Sequence, residues 1–527
     1  MKTLFSGLGR EKFFLSALSG ALLTAGFPLA GVSPSAWFAL CFLLVTLRDV
    51  PPRQGFVLGL LAGFVHYITL LYWLVSTMHV YGYLPLWLSV LIFIPLALYL
   101  SLYIGVFAWL VVFFGFSPGI VLMLVPCGWV CLEYLRSFMF TGFPWGLLGY
   151  TQAHNLPVVQ MADIFGVYGV SWVLAFSSGV ISFLWMHFKD WTWQGRSIGR
   201  RTAVCAVLLL MAVMVMVWSY GTMRIESTDR MIAGSETVDV GVIQGNIDQS
   251  EKWDLAFRES IISTYIRLSE QANRSKPLDL IVWPETSAPF YFNYDEDMTA
   301  MVLGGVENMG PHFIIGSPTV EFSGPDDLYY NSAYLISPNG EVSGRVDKVH
   351  LVPFGEYVPF RKWLPFINPI VEQVGEFKTG KMGDTLAWAP ADIGVLICYE
   401  VIFPELAASM VENRAGLLVN ITNDAWFGKS GAPYQHFDMA VFRAVENRRS
   451  LIRAANTGVS GWIDPAGRVR EASGLFVEAA MTGSVPVVRD YTTFYTQHGD
   501  LPVLCCFIAM MGIVVVSLFK LKKRTNG

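Results

Sequence analysis

The sequence predicts a chain in two parts, a multi-pass α-helical membrane domain and a water-facing domain of the α/β class. Of its 527 residues 54% are hydrophobic and only 15% are charged, which excludes a wholly soluble protein. Basic and acidic residues are also distributed unevenly along the chain. Residues 1–221 and 501–527 together hold 14 Lys and Arg against 5 Asp and Glu, whereas residues 222–500 hold 22 against 36. We therefore expect a membrane part with basic edges, one acidic domain in water, and no nucleic-acid-binding face.

Eight apolar stretches qualify as membrane spans, because a helix needs about 20 mostly apolar residues to cross the hydrocarbon. They lie at 13–31, 34–48, 55–77, 84–114, 119–139, 163–187, 202–221 and 501–519. The predicted domains are then 1–221 with transmembrane helices 1 to 7, 222–500 as an extracytoplasmic catalytic domain, and 501–527 with helix 8 and a basic tail.

The orientation follows from basic residues, which favour the cytoplasmic side of short loops. With both termini inside, the basic residues before the first span and after the eighth, those at positions 48 and 53, and those of the loop at 188–201 share the cytoplasmic side. Arg136 near the outer end of the fifth span is the one exception. The sequence thus predicts that residues 222–500 lie outside the cytoplasm.

Alternating β-rich runs and amphipathic stretches predict that residues 222–500 form a layered α/β fold. Apolar residues at three- and four-residue spacing predict a helix over 250–272. The turn-forming sequences at 337–340 and 464–467 each predict a hairpin. Strands are expected at 238–244, 278–283, 312–316, 393–398, 417–421 and 450–454.

Three predicted strand ends carry reactive side chains. They are Glu285 after an apolar run that stops at Pro284, Lys348 after a hairpin, and Cys398, the only cysteine of residues 222–500. A cysteine nucleophile needs a base and a group that stabilises an oxyanion, and these residue types fit those tasks. Taken singly, each also has a plainer interpretation, as a surface carboxylate, a solvated cation and a core thiol.

The peptides around these three residues closely resemble the nitrilase (carbon-nitrogen hydrolase) superfamily over residues 238–483. The run Asn420 to Gly428 and the run Leu351 to Pro359 belong to the same resemblance. Because the domain follows seven spans and precedes an eighth, the whole chain resembles the apolipoprotein N-acyltransferase family. The resemblance implies an α-β-β-α sandwich domain and a location in the bacterial inner membrane, with the catalytic domain in the periplasm.

The resemblance also implies roles for single residues. Glu285 would be the general base, Lys348 the oxyanion-stabilising cation and Cys398 the nucleophile. Tyr399 would offer its backbone N–H to the oxyanion. Two carboxylates, those of Glu356 and Glu400, would support the site, which we interpret as orienting other groups rather than transferring protons.

The chemistry that the resemblance implies is a ping-pong acyl transfer with no cofactor and no metal. A phospholipid such as phosphatidylethanolamine would donate its sn-1 chain to Cys398, and a diacylglyceryl apolipoprotein would accept it on its α-amine. Trp253 would lie near the lipid substrate, or it would pack on the core at the start of a helix.

Water must be kept from a thioester, so we expect apolar loops over the cleft. The aromatic residues Phe290, Tyr291 and Phe292 and the segment Trp363–Val374 are the candidates for a lid that also binds substrate, unless they pack on the sandwich. Two other functions remain open, a membrane-tethered amidase or nitrilase acting on a small amide, and a non-catalytic lipid-binding receptor or transporter.

Overall fold

The computed structural model describes residues 8–307, 309–323, 326–357 and 377–525. The chain divides into two compact units. A membrane unit comprises Met1–Arg224, Ser430–Gln435 and His498–Gly527, and a catalytic unit comprises Ile225–Lys429 and His436–Gln497. The predicted segment Trp363–Val374 lies outside the described residues.

Helices build the membrane unit. They are α1 (Arg10–Ala25), α2 (Ala39–Thr46), α3 (Pro52–Leu70), α4 (Trp73–Ser76), α5 (Leu86–Phe114), α6 (Pro118–Phe138), α7 (Leu156–Val159), α8 (Ala162–Phe188), α9 (Arg200–Ala233), which runs on into the catalytic unit, and, at the carboxyl end of the chain, α15 (Leu501–Thr525). A short hairpin of β1 (Thr192–Trp193) and β2 (Arg196–Ser197) precedes α9.

The predicted count of eight spans is not confirmed. Within the described residues five helices are long and apolar enough to cross a membrane: α5, α6, α8, α9 and the Leu501–Phe519 part of α15. The pair Pro52–Leu70 and Trp73–Tyr81, bent by 51°, makes a sixth if it is one span. The first predicted span overlaps α1, whose 16 residues measure about 24 Å against about 30 Å of hydrocarbon. The second corresponds to the short apolar segment Ser33–Thr46.

Glycine allows α3 and α5 to pack closely. A Cβ at Gly59 of α3 would lie 2.5 Å from the Ile104 carbonyl oxygen and 2.6 Å from the Ala108 Cβ of α5. Lipid provides no hydrophobic force between helices, so helix association depends on van der Waals packing, which such close backbone approach allows.

Two sheets form the centre of the catalytic unit. The strands are β3 (Glu236–Gln244), β4 (Leu280–Val282), β5 (His312–Ser323), β6 (Asp326–Ile336), β7 (Val342–Asp347), β8 (Ile393–Ile397), β9 (Leu417–Thr422), β10 (Ser450–Ala455), β11 (Gly461–Ile463), β12 (Val469–Ala472) and β13 (Ala479–Val487). One sheet has the order β13-β3-β4-β5-β6-β7 and the other β12-β11-β10-β9-β8. The β3-β4-β5 and β8-β9-β10 pairs are parallel, and the remaining pairs are antiparallel.

Helices cover the outer faces of both sheets. The helices of this unit are α10 (Arg258–Ser275), α11 (Glu296–Glu307), α12 (Pro404–Glu412), α13 (Ala432–Asn447), which begins in the membrane unit, and, just before α15, α14 (Phe494–His498). Inward-facing residues of both sheets share one core, whereas α10 and α11 pack with the opposite face of the first sheet in a second core. Gly394 of β8 faces Met410 of α12 on the other outer face. The layers are those of the α-β-β-α sandwich that the resemblance implies.

The predicted strands and both hairpins are confirmed to within a few residues, although β5 extends seven residues further than expected. The predicted helix over 250–272 is wrong at its start, because α10 begins at Arg258 after a short 3₁₀ turn at Leu255–Phe257. The Asp248 side chain accepts the Ser250 backbone N–H, and the Asp254 side chain accepts that of Ala256. These local bonds give the backbone a turn in place of a helix.

We expect Gly316→Ala to destabilise the catalytic unit. A Cβ at Gly316 of β5 would lie 2.6 Å from the Pro284 carbonyl oxygen and 2.7 Å from the Glu285 Cα, so the backbone that carries Glu285 must shift. The expected loss is about 1–3 kcal/mol, measured as a lower Tm of the purified protein in detergent. The matched control is Gly304→Ala, since Gly304 is an exposed residue of α11 with open space around a Cβ. It should leave the Tm unchanged or raise it. Equal Tm values for the two variants would contradict the close approach.

Candidate active site

The structure brings the three predicted strand-end residues together. Glu285 follows β4, Lys348 directly follows β7 and Cys398 directly follows β8. The Nζ of Lys348 lies 3.4 Å from the Oε1 of Glu285. The Cys398 thiol interacts with the Glu285 carboxylate and is also within the field of the Lys348 ammonium. One carboxylate, one ammonium and one thiol therefore share a single site.

Lys348 is buried between two carboxylates. Its side chain is 1% exposed, and its Nζ donates to the Oε1 of Glu356 at 2.8 Å as well as facing Glu285. Burial alone would lower the pKa of Lys348, but the charges of Glu356 and Glu285 outweigh it and hold the pKa well above its usual value. The lysine therefore stays protonated throughout the neutral range.

Both oxygens of the Glu285 carboxylate accept hydrogen bonds. The Oε1 accepts the Asn331 Nδ2 at 2.8 Å, and the Oε2 accepts the backbone N–H of Asn423 at 2.9 Å. Burial pushes the pKa of Glu285 upward, but Lys348, Asn331 and the Cys398 thiol together lower it below the usual value. The group is thus an ionised carboxylate beside a thiol.

Cys398 is half-buried and has a left-handed backbone with φ of 57°. Residues other than glycine rarely adopt this backbone conformation, and such backbone strain is found at functional sites. The Asn420 side chain holds the turn by donating to the Leu396 and Cys398 carbonyl oxygens at 2.8 and 3.4 Å. Burial and the Glu285 charge raise the pKa of Cys398, and Lys348 opposes them. The resting form is therefore the neutral thiol, which needs a base.

Glu356 and Asn331 complete the surroundings of Lys348. The Asn331 Nδ2 bridges Glu285 and Glu356, with 2.8 Å to an oxygen of each. The second oxygen of Glu356 accepts the Val352 N–H at 2.8 Å. The sequence did not single out Asn331, because its strand also carries Asp326, Asp327 and Ser332 and nothing local distinguishes the amide from these polar residues.

Glu400 ties the lysine segment to the nucleophile segment. Its carboxylate accepts the backbone N–H groups of Val349, His350 and Ile397 at 2.6, 3.0 and 2.7 Å. Burial raises the pKa of Glu400 to about 7. The Tyr399 ring packs against Phe403 with 5.3 Å between ring centroids. The predicted role of the Tyr399 backbone N–H stays a prediction.

A buried ionic network lies behind Cys398. Arg453 donates to the Asn420 side chain and, at 2.7 Å, to Asp424, which also contacts the His436 Nδ1 at 3.0 Å. Burial raises the pKa of Asp424, but Arg453 and His436 lower it well below its usual range. Asn420 and Asp424 belong to the run Asn420 to Gly428 on which the resemblance rests. Their contacts with the Cys398 turn and with Arg453 could not be predicted from the sequence.

The aromatic residues predicted to bind substrate separate into two groups. Tyr291 is 38% and Trp253 52% exposed, so Trp253 does not pack on the core. The predicted place of Phe290 and Phe292 in an exposed lid is wrong. Both are 2% exposed and belong to the core between the first sheet and its helices, whereas Tyr291 between them faces outward.

Lys252, which precedes Trp253, is a further residue of the site that was not predicted from the sequence. Its side chain is buried, and its Nζ donates to the Glu285 backbone carbonyl oxygen at 3.0 Å. Nothing in the local sequence distinguishes this lysine from a solvated one.

These groups are suited to acyl chemistry. An ionised carboxylate can take the thiol proton, and a buried ammonium can stabilise the oxyanion that forms when sulfur attacks a carbonyl. Among the described residues, no group of three or more His, Cys, Asp or Glu side chains is arranged to hold a metal ion.

Two family models match the chain. The model described as apolipoprotein N-acyltransferase N-terminal domain matches residues 19–180, and the carbon-nitrogen hydrolase model matches residues 239–491.

Curated relatives match over almost the full length. Apolipoprotein N-acyltransferase of Geobacter metallireducens is 42% identical, covering 98% of this chain and 97% of the relative. The protein of the same name from Methylococcus capsulatus is 32% identical, covering 95% of each chain. Among solved structures, a carbon-nitrogen hydrolase from Helicobacter pylori G27 is similar with a TM-score of 0.37 and 17% identity, covering 47% of this chain and 89% of that one.

We expect Lys348→Met to destabilise the protein by about 3–5 kcal/mol, because it leaves a buried carboxylate without its cation. In the parent Lys348 is the main group that lowers the pKa of Glu285 against the effect of burial, so without the ammonium we expect burial to raise this pKa above the unfolded value. The folded variant then binds more protons than its unfolded chain, so its stability falls as the pH rises. The Tm deficit against the parent should therefore be larger at pH 8 than at pH 5.5.

The control for this variant is Lys381→Met, because the Lys381 side chain is 82% exposed and only reaches Asp384. It should change the Tm little at either pH. A deficit in Lys348→Met that is the same at both pH values would show that the lysine does not hold Glu285 ionised.

Proposed function

Because the chain belongs to the apolipoprotein N-acyltransferase family, we propose that it transfers a fatty acyl chain from a membrane phospholipid to the α-amino group of the N-terminal diacylglyceryl-cysteine of apolipoproteins. The observation that carries this proposal is the convergence of the Glu285 carboxylate and the Lys348 ammonium on the Cys398 thiol. The full-length similarity, which includes the membrane unit, favours a lipid substrate over a small soluble amide.

In the first half-reaction the S–H bond of Cys398 breaks as Glu285 takes the proton. The thiolate attacks the sn-1 ester carbonyl of a phospholipid such as phosphatidylethanolamine. Lys348 and the backbone N–H of Tyr399 stabilise the tetrahedral oxyanion. When the C–O bond breaks, Glu285 returns the proton to the leaving lysophospholipid, and a thioester remains on Cys398.

In the second half-reaction the neutral α-amine of the acceptor attacks the thioester carbonyl, and Glu285 accepts a proton from the nitrogen. The C–S bond then breaks, an amide forms, and the sulfur regains the proton from Glu285. The free enzyme is restored, so neither a cofactor nor a metal takes part in the proposed reaction.

The supporting roles follow from the contacts around the site. Glu356 and Glu400 orient the lysine and the nucleophile segment through their hydrogen bonds, and they transfer no proton. Trp253 and Tyr291 are the exposed aromatic residues that we propose to contact lipid. Phe290 and Phe292 are left out of this set because they are core residues.

We propose that the enzyme is a multi-pass protein of the bacterial inner membrane. Residues 1–221 would hold transmembrane helices 1 to 7, residues 222–500 would lie in the periplasm, and residues 501–527 would hold helix 8 and the basic tail. The two shortest segments, α1 and Ser33–Thr46, are consecutive. The two termini therefore share one side whether this pair crosses the bilayer twice or turns back within it, and the basic residues at both ends assign that side to the cytoplasm in this proposal.

The acyl intermediate can be tested directly. Protein purified in detergent and incubated with fluorescent phosphatidylethanolamine should form a hydroxylamine-sensitive adduct on Cys398. Cys398→Ala should abolish the adduct and lower transfer to a diacylglyceryl peptide by at least about 10³-fold. Cys205→Ala, which removes an exposed thiol of α9, is the matched control and should behave as the parent.

Other outcomes of this assay are equally informative. An adduct that forms to the same extent in Cys398→Ala rejects the nucleophile. Turnover of small amides without any lipid requirement supports the tethered amidase. Lipid binding by the parent with neither adduct nor turnover supports a non-catalytic receptor.

The orientation can be tested by thiol labelling. Lys381→Cys places a thiol on an exposed position of the catalytic unit, and Arg196→Cys places one in the hairpin before α9. In intact spheroplasts a membrane-impermeant maleimide should label the first and not the second, with the parent chain as background. Labelling of Arg196→Cys before lysis would contradict the proposed topology.

A further inference from the structure

A second lysine is buried at the site. Lys252 lies in the loop between β3 and α10, and it is 1% exposed although the next residue, Trp253, is 52% exposed. Burying an ammonium is costly, so a lysine is almost never fully buried without partners. The Lys252 Nζ donates to the backbone carbonyl oxygen of Glu285 at 3.0 Å. Lys252 thus holds the main chain of the proposed base.

The loop that carries Lys252 is fixed at several points. Asn456 accepts the Asn246 N–H on its backbone oxygen and the Ile247 N–H on its side chain, each at 2.9 Å, and its Nδ2 donates to the Ile247 carbonyl oxygen. The Lys252 N–H then closes a turn on the Asp248 carbonyl oxygen at 3.1 Å. The inward direction of the lysine is therefore built into the loop.

The charges around Lys348 do not balance without a second cation. Lys348 alone faces two carboxylates, Glu285 and Glu356, so this group of three has one positive and two negative charges. Adding the Lys252 ammonium makes the group neutral. Burial lowers the pKa of Lys252 to about 8, while Glu285 and Cys398, the titratable groups that act on it, favour its charged form.

The other buried carboxylates of the site have separate partners. Glu400 accepts three backbone N–H groups, and Asp424 pairs with Arg453 at 2.7 Å. Neither accounts for the presence of Lys252.

We propose that Lys252 is a positioning residue of the acyl transfer, which fixes Glu285 through its main-chain carbonyl and stabilises the Cys398 thiolate by its positive charge. When the Cys398 proton moves to Glu285, an S–H bond breaks, an O–H bond forms, and the negative charge moves from the carboxylate to the sulfur. That shift weakens the attraction of Glu285 for both ammonium groups, and the attraction of both groups for the thiolate sulfur compensates for part of the loss. The inference rests on the proposed role of Cys398 as the nucleophile.

The test measures the reactivity of Cys398 without lipid. The full-length protein in detergent is treated with iodoacetamide between pH 6 and 9.5, and the Cys398 peptide is quantified by mass spectrometry because the chain has seven cysteines. Lys252→Gln keeps a hydrogen-bond donor but removes the charge, whereas Lys252→Met removes both. Lys381→Met is the control for loss of a lysine elsewhere, and the Tm of each variant reports folding.

At pH 7 we expect Lys252→Gln to be alkylated at least about threefold more slowly than the parent, and Lys252→Met more slowly still. The ratio of parent to Lys252→Gln rates should fall towards one above about pH 8, because the parent lysine then loses its charge. Lys381→Met should match the parent at every pH.

Two results would overturn the inference. One is a Lys252→Gln rate equal to the parent rate at pH 7. The other is a slower rate by the same factor at every pH, which would reduce Lys252 to a structural contact. Failure of the proposed function appears separately, as absence of acyl transfer in a parent whose Cys398 is still alkylated.

Discussion

Two carboxylates, those of Glu285 and Glu356, share one buried ammonium at Lys348, 3.4 and 2.8 Å from its Nζ. Each of the three charges would be costly to bury alone, and the close approach of opposite charges offsets that cost. Asn331 bridges the two carboxylates and so prevents them from turning away from the lysine. Glu285 is ionised because of its neighbours Lys348 and Asn331. Deprotonation of the thiol depends on this ionised state.

The fold brings the group together because the two sheets of the sandwich face each other. Glu285 and Lys348 follow strands of the first sheet, and Cys398 follows the edge strand of the second. Glu400 then joins the two sheets at the site, since it accepts N–H groups from Val349 beside the lysine and from Ile397 before the cysteine. The position of the nucleophile against its cation is therefore fixed by main-chain contacts across the core.

Much of the catalytic unit could be predicted from the sequence, because buried strands of β-branched residues that end at polar groups give a strong local signal. That Glu285, Lys348 and Cys398 meet could be expected only from the resemblance, since no local pattern specifies contacts between segments 50 or more residues apart. Lys252 was missed for the same reason: its burial depends on a loop pinned by Asn456, more than 200 residues away. Phe290 was assigned to an exposed lid because its aromatic neighbours were considered as one cluster, although Phe290 and Phe292 pack in the core and only Tyr291 between them is partly exposed.

The three carboxylates accept hydrogen bonds from five main-chain N–H groups. The backbone N–H groups of Asn423, Val352, Val349, His350 and Ile397 bind Glu285, Glu356 and Glu400. Replacing the side chain at any donor position leaves its amide in place. An alanine scan would therefore leave these main-chain donors untested. Only amide-to-ester replacement in the backbone would reveal what these donors contribute.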